Sequence, residues 1–219
     1  MNASANKAGD QPRWQHIHHA DLDADGTQDT VWVTPARDFH IAGGSPRGHW
    51  ILQATISSTG ARVSRVFPVD GYGAASKRKW TPWVGATDLD HTAGAELVLG
   101  AQGAADAAVY QVVVYWAGTL RTLPSPDAAD PSLWPVVGAY LHGTGYRCRA
   151  HSLVTTAYAA NRHVTRWHFR RSRYVWSDNR WHAVATRTRT AHARKEGKAP
   201  RGAFKHFYGF HCPGLRHFS

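Results

Sequence analysis

The chain has little cysteine, a single methionine and, over its last third, almost no acid. Its 219 residues hold two cysteines, Cys148 and Cys212. Neither lies in a Cys-x-x-Cys pair or beside histidines at zinc-site spacing, which argues against a zinc ribbon or a thioredoxin-like motif. The expected reading is a disulfide closing a loop of 65 residues, which would imply an oxidising compartment. The alternative is two unrelated buried thiols. The longest apolar stretches, such as "AAVYQVVVYW" from Ala107 to Trp116, fall short of the roughly 20 residues that cross a bilayer as a helix. The first residues, "MNASANKAGDQPRW", show no apolar segment behind a basic start, so no secretion leader is visible. There is no G-x-S-x-G elbow, no Walker or dinucleotide glycine pattern and no cysteine in a nucleophile setting. The chain is not expected to be an enzyme.

What is present is cationic and uneven. The formal net charge is +11. From Arg147 to Ser219 there are 16 Lys/Arg against 2 Asp/Glu, a balance of +14, whereas residues 1–146 hold 10 against 13, or −3. A basic half of this kind attracts polyanions such as nucleic acid, anionic lipid headgroups or acidic cell-surface polymers.

Hydrophobic residues alternate rather than recur every three or four positions. "HWILQATIS" puts Trp50, Leu52, Ala54 and Ile56 on one face, "VYQVVVYW" does so with Tyr110, Val112, Val114 and Trp116, and "HVTRWHFR" with Thr165, Trp167 and Phe169. No window shows a convincing helical period, and Gly, Pro, Ser, Asp and Asn punctuate the chain at short intervals. An all-β fold with tight turns is expected.

The pattern also repeats. "ADLDADGTQDTVWV" has a partner in "TDLDHTAGAELVLG", with leading aspartates 88 − 21 = 67 residues apart. Each is followed by a long loop, an alternating strand, a tight turn and another strand. A degraded third copy begins near "WPVVGAYLHGTGYRC". The expected organisation is a flexible N-terminus over 1–13, a first unit over 14–84 and a second unit with linker over 85–132. A basic C-terminal meander would occupy 133–219, with "RTAHARKEGKAPRGAFK" as a basic loop before Cys212.

In the first repeat Asp21, Asp23 and Asp25 stand at positions one, three and five. Gly26 permits a sharp turn, Thr27 offers its carbonyl at position seven, and Asp29 stands at position nine. Alternating oxygen donors of this kind suit a hard cation such as Ca2+. The competing reading is an Asx-rich turn that needs no ion. An EF-hand is excluded, because position twelve is Trp32 where a bidentate Glu is required. These residues resemble the FG-GAP or VCBS-type repeats of integrin-like β-propellers, whose loops read D-x-D-x-D-G-x-x-D before an apolar strand. The resemblance implies about three propeller-like blades of antiparallel strands, forming an incomplete or open propeller, and a secreted protein like small actinobacterial members of this kind. It implies Ca2+ held by Asp21, Asp23, Asp25, Asp29 and the Thr27 carbonyl. A possible second loop offers Asp88, Asp90, Thr92 and Glu96, with Ala93 in the glycine position. "GAYLHGTGYRC" has no carboxylate and is expected to be a plain turn. Propellers close with four to eight blades, so three units would stack openly, pack compactly or oligomerise.

Two further features carry chemistry. His16, His18 and His19 suggest a metal pair, but the third ligand is missing, and a structural role is the expectation. In "RRSRYVWSDNRWHAVATRTRT" the arginines Arg170, Arg171, Arg173, Arg180, Arg187 and Arg189 interleave with Tyr174, Trp176 and Trp181, the mixture used by single-stranded nucleic-acid platforms. A meander with a buried aromatic face and a solvated arginine face has the same pattern. The expected function is therefore a non-catalytic, calcium-stabilised extracellular or cell-envelope binding or adhesion module whose partner is an anionic glycan or envelope polymer. Nucleic-acid binding through the basic unit is the alternative.

Overall fold

The computed structural model describes residues 16–42, 44–71, 81–104, 106–193 and 207–216; the expected flexible segment 1–13 lies outside them. The described chain is all β, with 15 strands hydrogen-bonded into one open, mostly antiparallel sheet. No propeller is formed: the sheet does not close, and its strands are joined into one path rather than separated into independent blades.

That path has two thin seams, and they divide it into three meanders. In the first, β1 (His16–Ala20), β2 (Asp29–Pro35), β4 (Ser45–Thr55) and β5 (Arg62–Asp70) pair in that order, with β3 (His40–Ala42) added to β4. The second contains β6 (Trp83–Thr87), β7 (Glu96–Ala104) and β8 (Ala107–Trp116), with β9 (Thr119–Thr122) and β10 (Trp134–Val137) end to end along β8. The third runs β11 (His142–Arg149), β12 (Ser152–Ala160), β13 (Arg166–Ser177) and β14 (Arg180–His192), with β15 (Gly209–His211) parallel to β11. β5 meets β7 through one pair, Asp70 and Gln102, and β10 meets β11 through one pair, Val137 and Thr144.

With so few backbone bonds across the seams, side chains hold the layers together. Trp50, Leu52 and Ala54 of β4, Val31 and Val33 of β2, and Phe67 and Val69 of β5 pack against Trp83, Leu97, Leu99, Val113 and Leu120 of the second layer. Val98, Tyr110 and Val112 point the other way, into a cluster with Trp134, Tyr146, Leu153, Phe210 and Cys212. Strands β7 and β8 are thus buried on both faces, which is why they read as nearly unbroken apolar runs. Each fully buried leucine in these seams contributes about 2 kcal/mol. Trp116, at the end of the same strand, lies exposed beneath Arg121. Arg65 reaches from β5 to the Leu120 carbonyl and the Thr122 hydroxyl, a polar strut across the same seam.

Cys148 and Cys212 form a disulfide that ties β11 to the segment after β15. On the third layer's outer face, Tyr158, Trp167 and Phe169 make a further cluster with Phe207. The β13–β14 hairpin turns through Asp178 and Asn179, both at positive φ. A two-residue turn of this kind matches the twist of its strands and fixes their register.

Two expectations are corrected. Most of "GAYLHGTGYRC" is not a turn, because His142–Arg149 is strand β11. The expected basic loop beginning at Arg189 is still strand through His192, and residues 194–206 lie outside those described.

Candidate metal centre

Each of the first two layers carries an acidic loop between its first two strands, and the two loops share a geometry. In the first, Leu22 N–H donates to Asp29 Oδ2 at 2.8 Å; in the second, Leu89 N–H donates to Glu96 Oε2 at 2.5 Å. Position nine therefore anchors position two in both. Position four is left-handed in both, with φ of 59° at Ala24 and at His91. Leu22 and Leu89 then plunge into the two successive cores. The glycine differs: Gly26 stands at position six, whereas the second loop turns at Gly94, position seven.

The carboxylates converge. Oxygens of Asp21, Asp23 and Asp29 lie within 4.8 Å of one another, and so do those of Asp88, Asp90 and Glu96. All-oxygen sets of this kind match Ca2+ or Mg2+ and not softer metals. In the first cluster Asp29 is satisfied by Leu22 N–H, by Ser57 N–H and by the Ser57 hydroxyl, while the Ser58 hydroxyl donates to Asp23. Asp21 accepts from Gly26 N–H through Oδ2, but its Oδ1 is buried without a hydrogen-bond partner. In the second cluster Asp90 accepts from Thr92, and Asp88 from His91. Glu96 is fully buried beside Asp90, and its Oε1 receives no hydrogen bond from an N–H or hydroxyl among the described residues. Burial, followed by the neighbouring Asp90 charge, pushes the Glu96 carboxyl up to about 9. A divalent cation would supply the counter-charge that both orphaned oxygens lack, so the residues fit such an ion.

Asp25 does not join the first cluster; it lies exposed and accepts from Thr27 N–H at 2.6 Å. Thr92 serves the second loop by bonding Asp90 through its N–H and hydroxyl. Ser57 and Ser58 were not singled out from sequence, because they arrive from the β4–β5 turn, 28 and 35 residues beyond Asp29 and Asp23. The two loops also touch. Ala95 N–H donates to the Asp21 carbonyl at 2.8 Å, and a Cβ on Gly94 would collide with the Leu22 carbonyl. His91 reaches onward to the Arg149 carbonyl at the turn between β11 and β12, which carries no carboxylate.

The histidine pair lies against the first seam. His18 stacks on Trp83 with centroids 4.0 Å apart, across the first seam, and His16 lies beyond it. Burial, and then the neighbouring His16, Arg216 and His19, push His18 down to about 4. The six arginines separate. Arg170 pairs with Asp127 at 2.6 Å and Arg180 contacts His182, whereas Arg171, Arg173, Arg187 and Arg189 remain exposed. The aromatics face inward. Tyr174 is buried, and Trp176 and Trp181 pack toward the second core, with Trp181 donating to the Pro124 carbonyl.

No family model and no curated protein matches the chain. Among solved structures, one described as "Structure of a Xanthomonas Type IV Secretion System related protein" matches 84% of this chain and 97% of its own, at 14% identity and a TM-score of 0.34. A likeness at that level carries no argument. The disulfide does: bonds of this kind form and persist in oxidising compartments.

Proposed function

We propose that the protein is a non-catalytic, calcium-stabilised binding module of the extracellular space or cell envelope, and that its partner is an anionic glycan or envelope polymer. In this reading the three layers are the stacked meanders of one open sheet. The observation that carries it is the paired geometry of the acidic loops, each with a buried carboxylate oxygen that receives no hydrogen bond among the described residues. Asp21, Asp23 and Asp29 would hold one cation, and Asp88, Asp90 and Glu96 a second. The two loops meet where Ala95 N–H donates to the Asp21 carbonyl, between the first layer and the second. The ion's task is to neutralise charge and pin loops. The disulfide supports export.

Nucleic-acid recognition by stacked bases loses its support, because Tyr174, Trp176 and Trp181 are turned inward.

The test is a thermal melt of the oxidised protein in excess calcium and in chelator. A ligand that binds only the folded state adds about 2.7 kcal/mol at a hundredfold excess over its Kd. A calcium-dependent rise that is lost in Asp21→Asn/Asp90→Asn supports the reading. Equal melting in both buffers overturns it.

A further inference from the structure

We propose that the outer face of the third layer binds a linear anionic glycan through Arg147, Arg171, Arg173, Arg187 and Arg189. This deepens the reading above and rests on it for the oxidising compartment.

The register builds the face. Arg147 of β11 lies opposite Val154, which lies opposite Arg173, which lies opposite Ala185. The next row runs Gly145, Thr156, Arg171, Arg187, and the one after it Gly143, Tyr158, Phe169, Arg189. Directly paired residues project to the same side of a sheet, so the five guanidiniums lie on one side, around the Phe207–Gly209 segment that rests on Gly145 and accepts from the Thr156 hydroxyl. Three rows across four strands span about 14 Å in each direction. The intervening residues point away. Thr186 bonds Ser172, Thr190 contacts His168, and Arg170 meets Asp127 on the opposite side.

Among the described residues none of the five arginines forms an ion pair. Arg171 faces Arg187 directly across β13 and β14, a like-charge pair that costs stability. Blunting of an exposed edge would explain Arg187 and Arg189 on β14. It does not explain Arg147, Arg171 and Arg173, which lie on interior strands. Two of the guanidiniums are already held flat: Arg189 lies 4.8 Å over Phe169 and Arg171 5.4 Å over Phe207. Such stacking leaves N–H edges free and lowers the ordering cost of capturing a carboxylate or sulfate.

The same stacking selects against single-stranded nucleic acid. The rings that these strands place on this side, Tyr158, Trp167 and Phe169, are buried, so none of them is offered to a base. Pendant carboxylates or sulfates along a sugar chain need only the guanidinium edges.

The test is fluorescence anisotropy with a labelled heparin-derived octasaccharide, which carries both carboxylate and sulfate, and with a thymidine oligonucleotide for comparison. The octasaccharide is expected to bind the wild type, to weaken by about tenfold or more with Arg171→Gln/Arg187→Gln, and to lose affinity with salt less steeply in that variant. Arg170→Gln, on the opposite face, should leave binding unchanged. The proposal is overturned if the double variant binds like the wild type, if Arg170→Gln is equally damaging, or if the oligonucleotide binds more tightly than the octasaccharide. A calcium melt of the same double variant separates the two readings: a retained calcium shift with unaltered octasaccharide binding removes only the arginine face.

Discussion

Replacing Glu96 by Gln should stabilise the cation-free protein at neutral pH. The wild-type carboxyl is buried beside Asp90 and raised to about 9. A carboxyl raised in this way holds its proton more tightly in the folded state. The stability it lends is complete below about 4.5 and is lost as pH climbs toward 9. At pH 7 the gap from the unfolded value is about 2.5 units, which at about 1.4 kcal/mol per unit is a penalty of about 3 kcal/mol. Glutamine keeps the acceptor for Leu89 N–H and offers an amide donor toward Asp90, without a charge to desolvate. In chelator at pH 7 the variant should melt about 6–12 °C above the wild type. At pH 5 the two should nearly coincide. In saturating calcium the advantage should vanish, because the ion loses a charged ligand. The assay is a set of melts at both pH values, with and without calcium. A variant that melts at or below the wild type in chelator at pH 7 would refute the argument that Glu96 is an uncompensated buried acid.

In the first loop, Asp21→Asn and Asp23→Asn should each reduce the calcium-dependent rise in Tm. Asp25→Asn, outside the cluster, should reduce it less; equal losses across all three would return Asp25 to the ligand set. Reduction of the disulfide, or Cys148→Ser/Cys212→Ser, should cost about 4 kcal/mol by the chain-entropy estimate for a loop of this length, read as a fall in denaturation midpoint with a steeper slope, because the unfolded chain without its cross-link exposes more surface. Gly94→Ala should lower Tm in both buffers, because φ is +99° and the added methyl meets the Leu22 carbonyl; a neutral result would mean that the two loops are not in firm contact.

Where chemistry and period coincide, the sequence was readable. The 67-residue offset joins Asp21 to Asp88, and it also joins Leu22 to Leu89, Ala24 to His91 and Asp29 to Glu96, because the two loops have equal length and share one anchoring bond. Alternation in β4 gave Trp50, Leu52, Ala54 and Ile56 as one buried face. Alternation could not reveal that β7 and β8 are buried on both sides, since a one-faced reading of Tyr110 and Val112 leaves Val113 unassigned when it belongs to the other core. Nor could spacing collect the arginine face. Arg147 joins it from β11 only through Val154 of β12, and Arg170, adjacent in sequence to Arg171, points the opposite way. Ser57 and Ser58 reach the first acidic cluster from a distant turn, a contact that only the pairing of β2 with β4 creates.

The contact between the two loops gives the cations a structural consequence beyond local charge balance. One strand pair joins the first layer to the second, so the relative position of the layers rests on apolar packing, the Arg65 strut and the Asp21–Ala95 hydrogen bond. Apolar packing is non-directional and tolerates sliding. The hydrogen bond does not tolerate it, and its acceptor is the carbonyl of Asp21, one of the three carboxylate residues of the first cluster. An ion there would fix the backbone of Asp21 and with it the docking of Gly94 and Ala95. That loop in turn carries Glu96 and, through His91, touches the turn at Arg149 in the third layer. On this reasoning a cation bound at the first cluster would set the alignment of successive layers, and with it the platform from which the arginine face is presented.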